Sequence, residues 1–110
     1  MNRAWAVLFA AGLCEVVWAV SMDYSDGFTV WYFDALVIVF LILSVILLSR
    51  AMKSGLPVGT AYAVWTGIGA VGTITVSVAL GNEVLSILKA IFIIMIVCGI
   101  AGLELTASEE

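Results

Sequence analysis

Apolar positions fill four long blocks of the chain, about 4–22, 31–49, 57–80 and 84–103, and polar residues gather between them. The blocks show no period-two alternation, so they argue for helices rather than for the strands of a barrel. At about 1.5 Å rise per residue, roughly 20 helical residues cross a hydrocarbon core of about 30 Å, and each block is long enough to do so. In lipid every backbone N–H and C=O must be satisfied internally, which leaves helices and closed barrels as the spanning forms. The pattern therefore predicts an all-α membrane protein. It forms a single four-helix transmembrane domain over residues 1–110.

The connections are short. "DYSDGFT" (23–29) carries Asp and Gly turn chemistry, "RAMKSGLP" (50–57) places Pro57 at a helix start where its missing N–H costs nothing, and "GNE" (81–83) reads as a tight turn. Loops this short make sequential helices antiparallel neighbours, and the closing "TASEE" reads as a solvated end.

Composition agrees with this picture. Of 110 residues, 65% are hydrophobic and 11% charged, whereas roughly a quarter of a soluble domain is charged. The first block follows Arg3, as a signal peptide would, yet it is long, contains Glu15 and is followed by three more blocks. It is expected to stay in the protein. Arg3, Arg50 and Lys53 fall on the side shared by both termini and Lys89 on the other, so the positive-inside rule places both termini in the cytoplasm of a multi-pass inner (plasma) membrane protein. Eight acidic residues against four basic ones give no basic footprint for nucleic acid or anionic lipid.

Chemistry is sparse. Cys14 and Cys98 lie in different blocks and the chain has no histidine, so no disulfide, metal site or catalytic constellation is expected, and the protein is not read as an enzyme. "GIGAVG", with Gly67, Gly69 and Gly72, matches a dinucleotide fingerprint in letters alone. It lies inside an apolar helix, without the preceding strand or the acid some 20 positions on, so no cofactor is implied. Glycines there suit close helix packing and bending.

What remains is Glu15, in the middle of "AAGLCEVVWAV". A charged carboxylate near mid-bilayer costs at least about 2.5 kcal/mol, so it turns toward a partner or an aqueous cavity. Its helix face includes Ala11, Gly12, Trp18, Ala19 and Met22. Tyr62 and Trp65 in the third block offer a hydroxyl and an indole, and Ser44 in the second another hydroxyl. Around a membrane acid these groups suggest a box for a small organic cation, held by carboxylate and ring faces. A carboxylate out of water is neutralised by a proton or by a cation, so the two compete for one group. That competition is the core of an exchanger. Four helices with one acid cannot easily enclose a pathway, so an oligomer is expected, with the Ile-rich last block and its Gly99 and Gly102 as a packing face.

Over essentially its whole length the sequence resembles the small multidrug resistance family, through "AGLCEVVWA", "YSDGFT" and "LPVGTAYAVWTGIGAVGT". Trp18 three residues after the acid and the run "AYAVWTGIG" resemble the guanidinium exporter subtype. The resemblance implies four helices per subunit in an antiparallel dimer that alternates access by exchanging the conformations of its subunits. It implies Glu15 as the shared proton and substrate carboxylate, organised by Trp18, Ser44, Tyr62 and Trp65. Departures from the family pattern fall at Asp23, Val30, "GNEV" and Glu104. They change loop and end charge, so a heterodimer with an oppositely oriented paralogue stands beside the homodimer. A broader exporter of quaternary ammonium cations and a non-transporting membrane subunit are the other functional classes the sequence admits.

Overall fold

The computed structural model describes residues 3–108, and every regular element among them is helical. The helices are α1 (Arg3–Tyr24), α2 (Trp31–Lys53), α3 (Val58–Ala79) and α4 (Ile87–Ser108). All four are apolar enough and long enough to cross a membrane, at about 33 Å for 22 residues.

Local chemistry sets the helix ends. α2 has Asp34 in its first turn and Arg50 and Lys53 in its last, each sign placed to complement the helix dipole. It ends at Ser54 and Gly55, whose φ of +116° suits a residue without a Cβ. α3 starts directly after Pro57. α4 begins at Ile87 rather than at Val84, where the apolar run begins. The Ser86 hydroxyl accepts the Lys89 backbone N–H at 3.1 Å, and the Lys89 ammonium folds back onto Glu83 (3.3 Å) and the Val84 carbonyl (3.1 Å). A capping serine thus locates this helix start, which hydropathy alone does not mark.

α1 lies between α2 and α3, which touch each other much less. The core fills the half of the bundle nearest the described chain ends: Trp5, Leu8 and Ala11 of α1 meet Leu48 and Ala51 of α2 and Ala61 and Val64 of α3. Alanines at these contacts let the backbones approach, which matters where association rests on van der Waals packing rather than on escape from water. The backbone of α4 approaches only α3, with Gly67 giving room to Ile96 and Ile100.

At the opposite end the α1–α2 connection is a left-handed turn, with φ of +51° at Asp26, +75° at Gly27 and +65° at Phe28. Its flanks are tied: the Thr29 backbone N–H donates to the Ser25 carbonyl at 2.9 Å, and the buried Ser25 hydroxyl donates to the Asp34 carboxylate. Tyr24 stacks on Phe33, and its hydroxyl accepts the Asn82 amide at 2.9 Å, joining the first and third loops.

Candidate functional site

Glu15 stands 12 residues into α1, about 18 Å from its start and so near mid-span. Among the described residues the other acids within helices lie nearer helix ends, Asp23 in α1, Asp34 in α2 and Glu104 in α4. The Glu15 side chain reaches toward α3. A Cβ built on Gly69 would overlap its carboxyl group, so a larger residue at that position displaces the flexible end of the Glu15 side chain. On either side of this contact Gly12 meets Ile68 and Gly72 meets Val16, which brings the α1 and α3 backbones close along two turns.

Trp65, Ser44 and Ala11 form a relay across three helices. The Trp65 indole donates to the Ser44 hydroxyl at 2.9 Å, and that hydroxyl donates to the Ala11 carbonyl at 2.8 Å. Ser44 is fully buried. Ala11 is four residues before Glu15, so its carbonyl belongs to the turn on which Glu15 stands. The relay therefore fixes the backbone under the acid rather than the acid itself. Of the Glu15 carboxyl, Oε1 is buried and has no hydrogen-bond partner, and the buried indole N–H of Trp18, one turn further on, is also unpartnered. Buried polar atoms are nearly always paired, so two orphans on adjacent turns of one helix single out this stretch of α1 as the candidate site.

Tyr62 sits differently from the other four sequence-derived candidates. It is 56% exposed and lines a groove between α3 and α4. Its link to the rest is a T-shaped ring contact with Trp65, with centroids 5.6 Å apart. Positions i and i+3 differ by about 60° around a helix, enough to put Trp65 at the α2 contact and Tyr62 on the rim. Ser44 likewise bonds to Trp65 and Ala11 and not to the Glu15 carboxyl.

Two contributors were not among the sequence-derived candidates. Gly69 entered only as a packing glycine, although it shares a helix face with Tyr62 and Trp65 at i+7 and i+4. The Ala11 carbonyl carries no side-chain signal at all.

Residues 3–96 match the family described as Small Multidrug Resistance protein. The chain belongs to the small multidrug resistance family. It is 48% identical over 104 residues to a guanidinium exporter from Proteus vulgaris, covering 94% of this chain and 99% of that protein. Guanidinium exporters from Yersinia pestis and Salmonella typhimurium are each 47% identical over 104 residues, covering 94% of this chain and 99% and 98% of those proteins respectively. As a member of this family, with four membrane-length helices, the chain is a multi-pass membrane protein. The small multidrug resistance chain presents one half-buried carboxylate, two indoles and a hydroxyl relay at mid-span. Among the described residues no group of His, Cys, Asp or Glu is placed to hold a metal ion.

Proposed function

We propose that this protein exports guanidinium or small substituted guanidinium ions in exchange for protons, with both competing for Glu15. The orphaned Glu15 carboxylate oxygen beside the orphaned Trp18 indole carries the proposal. A guanidinium ion is planar and presents N–H pairs that match a carboxylate in a bidentate fork. The faces of Trp18 and Trp65 suit a delocalised cation. The Trp65–Ser44–Ala11 relay holds the turn under Glu15 while the ligand exchanges. Names given to relatives at 47–48% identity support the choice of guanidinium.

The transporting unit is an antiparallel homodimer of a single four-helix domain in the inner membrane, with Glu15 from each subunit facing one shared cavity and Tyr62 on its rim. α4 supports this assembly, because Gly99 and Gly102 face open space. Two carboxylates in one cavity titrate as a coupled pair. Proteoliposomes with an imposed proton gradient test the exchange: guanidinium moves against the gradient in the native protein and stays at background with Glu15→Gln. Transport by Glu15→Gln at the native rate contradicts it. Crosslinking of the chain expressed alone tests the dimer, and a product that is only monomeric, or a dimer with termini on one side, contradicts the antiparallel homodimer.

A further inference from the structure

A second groove is walled by α1, α3 and α4, with no residue of α2 in its lining. It measures about 450 Å³, and its lining includes Phe9 and Leu13 of α1, Val71 of α3, and Val97, Ile100 and Glu104 of α4. From Val97 to Glu104 the groove follows α4 for about 10 Å, and Leu13 lies about 15 Å into α1. It therefore runs from mid-span to the end of the bundle that holds the described chain ends. The lining is apolar apart from the Trp5 indole and one carboxylate. Glu104, four residues before the end of α4, puts a carboxylate at the outer end of the groove, about one helical turn short of the headgroup boundary and within reach of a headgroup that dips toward it.

An elongated apolar trough with one acid at its interfacial end is complementary to an apolar chain with a cationic head. We infer that this groove seats a membrane phospholipid whose headgroup carries a primary ammonium, with an acyl chain along Phe9, Leu13 and Val97 and the ammonium on Glu104. A primary ammonium supplies N–H donors for charge-assisted bonds to the carboxylate. A quaternary headgroup lacks those donors, and an anionic headgroup is repelled by Glu104.

Guanidinium itself does not fit this place, because it has no apolar body to fill the trough. Nor does the face proposed for dimerisation cover it. At 100° per residue, Gly102 lies about 160° around α4 from Glu104, and Gly99 about the same from Val97, so a partner seated on the two glycines leaves the groove to lipid. The seat is distinct from the carboxylate of the proton exchange proposed above, since Leu13 lies about 160° around α1 from Glu15, although Ile68 and Gly72 of its α3 wall flank the Gly69 that receives the acid.

The test is native mass spectrometry of the full chain with phosphatidylethanolamine, phosphatidylcholine and phosphatidylglycerol of identical acyl chains. Retention of the ethanolamine lipid is expected to exceed that of both others several-fold. Glu104→Gln lowers it to the choline level, while Asp23→Asn, which removes an exposed acid at the opposite end, leaves it unchanged. Val97→Trp, which fills the trough from an exposed position on α4, lowers retention of all three. Equal retention of the three lipids by the native chain overturns the assignment. So does a preference that survives Glu104→Gln, or full crosslinking of a Val97→Cys variant to a second copy in the bilayer.

Discussion

α1 and α4 have the same length and both are apolar enough to span a membrane, yet they occupy opposite environments. α1 buries Ala4, Trp5, Leu8, Ala11, Gly12, Val16 and Ser21, whereas no described side chain of α4 is buried. The less hydrophobic of the two is the one inside. In water the order would be reversed, because burial there is driven by apolar surface leaving solvent. In lipid the tails are as apolar as leucine, so small residues that permit close packing and polar groups that need partners go inward, and isoleucines face out.

Replacements on the two helices sharpen that contrast. The largest effect after loss of the acid itself is expected from Gly69→Ala, which drives a methyl into the Glu15 carboxyl while leaving α4 untouched. Guanidinium affinity should fall by more than tenfold in calorimetry with no loss of helical circular dichroism, and native affinity would break the assigned α1–α3 contact. Next comes stability. Leu8→Ala removes a fully buried side chain and should cost about 2 kcal/mol in a reversible unfolding assay in detergent, whereas Ile94→Ala on α4, already 60% exposed, should cost less than about 0.5 kcal/mol. Equal costs would mean that α4 is buried by a partner as firmly as α1 is buried by its neighbours. Ser44→Ala takes the middle from the relay and leaves the Trp65 indole and the Ala11 carbonyl unpaired. A cost of about 1 kcal/mol, with a several-fold loss of guanidinium affinity, is the expected outcome. An unchanged affinity would show that the turn beneath Glu15 needs no such brace.

The contrast also explains what could be found in the sequence. Four helices were legible because run length and loop chemistry are one-dimensional signals, and Glu15 stood out because an acid inside an apolar run is costly wherever that run folds. The glycines of "GIGAVG" were legible as contacts but not as particular ones. Only the three-dimensional arrangement assigns Gly69 to the acid, Gly72 to Val16 and Gly67 to α4. Ser44 read as another hydroxyl near the acid. Its actual place depends on the rotation of α2 about its axis, which a uniformly apolar helix does not encode. Tyr62 and Trp65 read alike in the sequence, as a hydroxyl and an indole offered by the third block, and the 60° between them separates a half-buried donor from an exposed ring. Glu104 registered only as a departure in end charge, because its groove is assembled from three helices far apart in sequence.

The central claim is that proton and guanidinium compete for one carboxylate on α1. It is tested most directly by proton release from detergent-solubilised protein on adding guanidinium, measured over a range of pH and compared with Glu15→Gln. The protonated carboxyl does not hold the cation, so lowering the pH should weaken apparent guanidinium affinity, by at most about tenfold per pH unit for each proton displaced. Release by the native protein alone, with that sign of pH dependence, is the predicted result. Equal release from Glu15→Gln, or affinity that does not change with pH, would contradict it.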